Sequence, residues 1–135
     1  MHDVWENTVR FAEADAQGIV FYGNYLVYQD ETFVAYMTAL GYPYERRARI
    51  GWKVHVVNVE LDYRESATVG DELVNAMEVT SIGRSSLQLG YECRRKADDT
   101  VLVEGRLVYA GVDENGESMA VPEEIREAVA DFQGD

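Results

Sequence analysis

Lysine occurs only at positions 53 and 96 of this chain, and cysteine only at 93. A lone Cys93 excludes an intrachain disulfide and a cysteine-rich metal site. His2 and His55 have no cysteine or second histidine nearby, so no metal-ligand spacing is present. Neither a Gly-Lys-Ser phosphate loop nor a dinucleotide glycine fingerprint occurs. No apolar run approaches the length that spans a membrane, and the start, Met1-His2-Asp3-Val4-Trp5-Glu6, lacks the basic and apolar regions of a signal peptide. The expectation is a cytoplasmic protein without a membrane partner. Positive charge is scarce as well: 25 acidic residues against 12 basic ones give a net charge of −13, which would repel nucleic acid phosphates. Such acidity fits an ordinary acidic enzyme and equally one adapted to high salt, where screening relieves self-repulsion.

What remains is a chain of 135 residues, 47% of them hydrophobic, enough to build one core in one domain spanning 1–135. Its densest stretch runs from Phe11 to Gly41. Asp15 stands in a loop with Gly18 and Gly23, and Asn24 has the residue type of a helix N-cap. Leu26, Phe33, Met37 and Leu40 on one side and Tyr25, Tyr28, Tyr36 and Ala39 on another predict a buried helix over about Asn24 to Leu40. Gly41 fits the C′ position, and Pro43 prevents continuation. A carboxylate beside free N–H groups at a helix start combines a base or nucleophile with a place for a developing oxyanion, the minimum for acyl transfer.

Around this stretch the period is two. A strand is predicted at Val4 to Phe11, with Val9 and Phe11 alternating with Arg10. Tyr42 to Lys53 reads as a connection whose Arg46, Arg47 and Arg49 form a solvated basic cluster. Val57, Val59, Leu61 and Tyr63 alternate with polar residues, while Val54 and Val56 lie in the opposite phase, which predicts a bulge near Val56. Asp71 to Thr80, Leu87 to Cys93 and Val101 to Tyr109 complete the strands, with turns at Val69-Gly70-Asp71, Ser81-Ile82-Gly83 and Asp98-Asp99. Pro122, Glu123 and Glu124 followed by Ile125, Val129 and Phe132 predict a short amphipathic helix. The fold class is α+β: a long helix wrapped by a curved antiparallel sheet of about five strands. Such a sheet leaves a face and edges to cover, so self-association as a dimer or tetramer is expected.

The run from Val9 to Leu26, with its Asp15-Ala16-Gln17-Gly18-Ile19-Val20-Phe21-Tyr22-Gly23-Asn24-Tyr25 centre, resembles the 4-hydroxybenzoyl-CoA thioesterase-like branch of the hotdog-fold acyl-CoA thioesterases. Length and element order match too. The resemblance implies hydrolysis of an acyl-CoA with no cofactor beyond the CoA of the substrate, at sites between two subunits. It makes Asp15 the carboxylate that attacks the thioester or activates water, Tyr22 the residue whose backbone N–H polarises the carbonyl, and Gly18 the small residue of the turn. Asn24 and Tyr25 match the helix-opening pair, in capping and packing. Gly83-Arg84-Ser85-Ser86 resembles the turn along which CoA runs, where Arg84 pairs with a phosphate and Ser85 hydrogen-bonds it, or where Arg84 is an ordinary turn residue. Asp30 and Glu31 interrupt the apolar helix and read as exposed or paired charges rather than as catalytic ones. Cys93 and His55 read as structural. Two other readings stay open: a non-catalytic acyl or aromatic ligand-binding protein of the same fold, and a hydratase or dehydratase, against which Val20 stands where that activity typically has a histidine.

Overall fold

In the computed structural model, which describes residues 1–134, the period-two stretches form five antiparallel strands. They are β1 (His2–Thr8), β2 (Lys53–Tyr63), β3 (Glu72–Ile82), β4 (Ser86–Arg95) and β5 (Val101–Val112), in the spatial order β1-β3-β4-β5-β2. Three helices accompany them: α1 (Asn24–Ala39), α2 (Tyr44–Arg49) and α3 (Glu123–Gln133). This is the expected α+β arrangement, with one long helix packed against one antiparallel sheet.

Alternation sets which face carries the core. Leu87, Leu89, Tyr91 and Cys93 of β4 are all buried, as are Val103, Leu107 and Tyr109 of β5. Against them α1 turns Tyr25, Tyr28, Phe33, Tyr36 and Met37. Each such side chain contributes about 1.5–3 kcal/mol on burial. Two polar residues on the same helix face are buried with partners: Gln29 Nε2 donates to the Tyr109 hydroxyl at 2.7 Å, and Thr32 Oγ1 to Tyr28 O at 2.6 Å. The helix stops as predicted. Gly41 takes φ +93°, its N–H donates to Thr38 O at 2.9 Å, and Tyr42 N–H reaches Met37 O at 2.9 Å.

Several expectations need correction. The first strand ends at Thr8, and Phe11 opens a 3₁₀ turn (Phe11–Glu13) and lies 86% exposed. Arg10 N–H donates to Glu13 Oε1 at 3.0 Å and closes that turn, which takes Phe11 out of the strand's phase. The long helix is half-buried rather than buried all round: Leu26, Val27, Asp30, Glu31 and Val34 form an exposed face, and Ala39 is exposed as well. Asn24 is the first helical residue, not the cap, a place held by Gly23. The connection after Gly41 contains α2, and Arg47 within it is buried, 7% exposed, instead of solvated. β3 runs on to Ile82, so Ser81 and Ile82 are strand and the turn is Gly83 to Ser85. The register of β2 against β5 shifts between Val56 and Asn58, the expected bulge.

α3 closes the far edge of the sheet with a side chain. Gln133 Oε1 accepts Val79 N–H at 2.6 Å and its Nε2 donates to Val79 O at 2.9 Å, so one amide replaces a strand residue beyond the end of β1. Tyr36 donates its hydroxyl to the same Gln133 oxygen. No helix among the described residues is long and apolar enough to cross a membrane.

Candidate active site

The loop that carries Asp15 is built like a miniature hairpin. Asp15 N–H donates to Ile19 O at 2.8 Å, Gly18 N–H to Asp15 O at 3.0 Å, and Ala14 bridges Val20. Gly18 has φ +82°, a conformation that costs any residue with a Cβ. The carboxylate of Asp15 folds back on this turn, Oδ1 accepting Gln17 N–H at 2.8 Å. Its other oxygen has no partner among the described residues, and the side chain is exposed. Val20 N–H donates to Ala67 O at 2.9 Å and Ile19 bridges Thr68, which hangs the loop on the chain between β2 and β3.

The helix start follows at once. Asn24 N–H reaches Phe21 O at 2.8 Å and Tyr25 N–H reaches Tyr22 O at 3.3 Å, so the first turn closes on Phe21 and Tyr22. Among the described residues the N–H groups of Tyr22 and Gly23 donate to nothing. They are the orphan donors of a helix N-terminus, where the dipole favours negative charge. A Cβ at Gly23 would come 2.8 Å from the exposed Phe21 ring, which would have to turn aside to admit it. The Tyr22 side chain, 66% exposed, stacks on Phe21 at 4.6 Å and meets Tyr63 edge-on at 6.4 Å, while Tyr63 OH donates to Tyr22 O at 3.2 Å.

Asn24 and Tyr25 hold this start in place. Asn24 Nδ2 donates to Glu13 O at 2.8 Å, and the buried Tyr25 accepts Ala67 N–H at 3.3 Å on its hydroxyl. Sequence reasoning missed the residue that receives Asn24. Glu13 O also accepts Phe21 N–H at 3.0 Å, and its carboxylate accepts Tyr28 OH at 2.8 Å and both the N–H and Nε–H of Arg10 at 3.0 Å. Partial burial alone would raise the Glu13 carboxyl, but the hydrogen bonds from Arg10 and Tyr28 outweigh it and hold the group below the ordinary carboxylate range. Burial, with the Glu13 carboxylate beside it, pushes the Tyr28 hydroxyl up. The signal available in the sequence was only the capping-box spacing from Arg10 to Glu13.

Arg84 and Ser85 lie elsewhere. The Asp15 loop sits where β3 begins, while Gly83 to Ser85 join β3 to β4 at the other end. Eleven residues of strand at about 3.3 Å each put roughly 30 Å between them within one chain. Arg84 is exposed, and its carbonyl accepts Val121 N–H at 2.8 Å. Asp30 and Glu31 are both exposed on α1 and line two different cavities, Asp30 one that His55 also lines. Cys93 is fully buried, and burial pushes its thiol up to about 12, which leaves it inert as a nucleophile. Among the described residues no group of three or more His, Cys, Asp or Glu could hold a metal ion.

Helix, sheet and loop together define a hotdog-fold protein of the thioesterase class. The chain belongs to the Thioesterase-like superfamily, whose sequence profile matches residues 9–129. It is 28% identical over 91 residues to a 1,4-dihydroxy-2-naphthoyl-CoA hydrolase of Synechococcus elongatus, across 64% of this chain and 65% of that one. A solved structure of a hypothetical protein from Thermus thermophilus is 26% identical and superposes with a TM-score of 0.88, covering 98% of this chain and 100% of the other. A Staphylococcus aureus protein solved in complex with CoA shares the fold at 16% identity, with a TM-score of 0.87 over 95% of this chain and 81% of that one.

Proposed function

We propose that this thioester hydrolase cleaves acyl-CoA substrates at Asp15. The carboxylate either attacks the thioester carbonyl carbon directly or takes a proton from a water that does. In both routes the carbonyl oxygen gains negative charge and accepts hydrogen bonds from the N–H of Tyr22, with Gly23 N–H beside it. Collapse of that oxyanion breaks the carbon–sulfur bond, and the thiolate leaves and takes up a proton as free CoA. In the water route the acid forms at once; in the direct route water hydrolyses an Asp15 anhydride. A thioester has little resonance to lose and a good leaving group, so one carboxylate and one oxyanion site suffice. Gly18 turns the chain so that Asp15 stays at the rim, and Asn24 and Tyr25 act by fixing the loop and helix start.

One observation carries this reading: an exposed carboxylate with an unpartnered oxygen shares a short, cross-bridged loop with the orphan N–H groups of a helix start. The Synechococcus relative supports a CoA thioester with an aromatic acyl group, and the Staphylococcus neighbour supports a place for CoA.

Self-association belongs to the same proposal. β2 is an edge strand of eleven residues, with Val56 and Val57 exposed at 50% and 59%, and the exposed Val34 of α1 lines a cavity with Val56. Two copies related by a two-fold axis pair this strand antiparallel and bury those residues. Pairing carries the Lys53 end of one β2 to the Tyr63 end of the other. Ser85 O accepts Gly111 N–H, and Gly111 pairs with Val54, so the Arg84–Ser85 turn of one copy then lies beside Asp15 of the next, within reach of a CoA phosphate. The test is thiol release from a panel of short, long and aromatic acyl-CoAs by native protein and by Asp15→Asn. Turnover cut by at least two orders of magnitude in the variant, with substrate binding kept, supports the proposal. Equal turnover in both forms removes Asp15 from the mechanism, and binding without turnover in either leaves a ligand-binding protein.

A further inference from the structure

In a protein of net charge −13, a buried arginine without a carboxylate partner is an anomaly. Arg47 is 7% exposed and makes no ion pair among the described residues. Its Nε–H donates to Tyr42 O at 3.1 Å, and its guanidinium lies 5.7 Å from the Phe33 ring and 5.9 Å from the Tyr44 ring. The two terminal nitrogens donate to nothing among the described residues. The stem and Nε are buried while these two nitrogens stay open to a cavity, an arrangement that presents a charged fork at the end of an apolar cleft. Arg47 lines a cavity of about 300 Å³ between α1, α2 and β2.

A second donor at the same cavity is also unpaired. Tyr109 is 2% exposed and stacks on Phe33 at 4.3 Å. Its hydroxyl oxygen accepts from Gln29, which leaves its own proton without an acceptor among the described residues. Trp52 adds a further aromatic wall, and the fixed charges at the rim, Lys53 and Asp30, offset each other. A cleft of this size sits at the small end of ligand pockets and has room for one or two rings.

We propose that this cavity is a binding site for an aromatic carboxylate, its planar anion held by the Arg47 guanidinium and the Tyr109 hydroxyl and its ring by the aromatic walls. A guanidinium fork matches a carboxylate in two parallel hydrogen bonds, and the two terminal nitrogens of Arg47 are left open to the cavity to make them. The acid comes either as a substituent of an acyl group or as a free acid. Only the first source rests on the thioesterase reading, through the paired β2 strands that would bring one copy's cavity towards the next copy's Asp15.

The test is calorimetric titration of native protein with benzoate and with benzamide, its neutral isostere. Benzoate is expected to bind at least ten-fold more tightly, and Arg47→Met to abolish that preference while benzamide binding stays within two-fold. Equal binding of both probes to native protein, or no binding of benzoate, overturns the proposal, and neither outcome depends on whether the variant folds. Competitive inhibition of thioester cleavage by benzoate assigns the site to the acyl group, whereas binding with unchanged turnover assigns it to a free acid. Because binding is read directly, absence of thioesterase activity leaves this test intact.

Discussion

Replacing Tyr28 by Phe removes one hydroxyl and nothing else from the support of the site. That hydroxyl donates to Glu13 Oε1 at 2.8 Å from a ring that is 1% exposed. A hydrogen bond to an ionised group contributes about 1.5–3 kcal/mol. For a domain of this size the loss lowers Tm by about 5–12 °C near neutral pH. The pH dependence carries the sharper test. Glu13 titrates below its ordinary value of 4.5 in the folded chain. Its contribution is therefore full above that value and disappears as pH falls through the lower folded value. With Glu13 protonated the Tyr28 hydroxyl keeps only a neutral partner, worth about 0.5–1.5 kcal/mol. Melting curves of native protein and Tyr28→Phe from pH 7 to pH 3 should converge on the acid side, and a double-mutant cycle with Glu13→Gln at pH 7 should give a coupling above 0.5 kcal/mol, on the order seen for contacting pairs. A Tm difference that does not shrink on acidification, down to the pH at which the native fold itself is lost, refutes the assignment of the bond to an ionised Glu13.

Gly18→Ala puts a Cβ into open space but at φ +82°, so a cost of about 1–2 kcal/mol comes from the backbone alone; chemical denaturation should read that loss, and thioester turnover should fall with it. At Gly111 the obstacle is a neighbour instead: a Cβ there falls on the Trp52 indole nitrogen and 3.0 Å from Met119 O, so Gly111→Ala should lower the urea midpoint by the equivalent of about 2–3 kcal/mol. The Cys93 thiol, raised to about 12 by burial, should fail to react with a thiol reagent at pH 8 in the native chain and react fully once denaturant is added.

How far the sequence could be read depended on how local the cause was. Gly41, with its positive φ and two backbone bonds to the preceding turn, is fixed by residues within five positions, and its role was legible. So were the shift near Val56, written in the phase change of four valines, and the burial of Cys93 in step with Leu87, Leu89 and Tyr91. Asp15, Gly18 and Tyr22 could be placed in one loop because they lie within eight residues of one another. α2 was missed because six residues with three arginines are too short to show a helical period. A charge count reads Arg47 as solvated, whereas its burial depends on Phe33, Tyr44 and the start of β2, which such a count does not reveal. The expected cap at Asn24 failed for a similar reason: its amide is bound to Glu13 O, eleven residues back, and Gly23 holds the cap position while Asn24 begins the helix. Arg84 and Ser85 lie at the opposite end of β3 from Asp15 within one chain, a matter of topology that residue type does not reveal.

The strand order also fixes when the chemistry can come into being. β3, β4 and β5 are successive hairpins, each closed by a short turn, whereas β1 must find β3 and β2 must find β5 across long stretches of chain. Loop-closure entropy makes the hairpins early and the two outer strands late. The ties of the Asp15 segment to the start of α1 are local, through Glu13, but its ties to the sheet are of the late kind: Val9 to Asp71, Val20 to Ala67, Ile19 to Thr68. A chain still folding thus holds a meander and much of a core before the Asp15 loop is anchored to the sheet, and unfolding from the edges releases that loop while the centre of the sheet still stands.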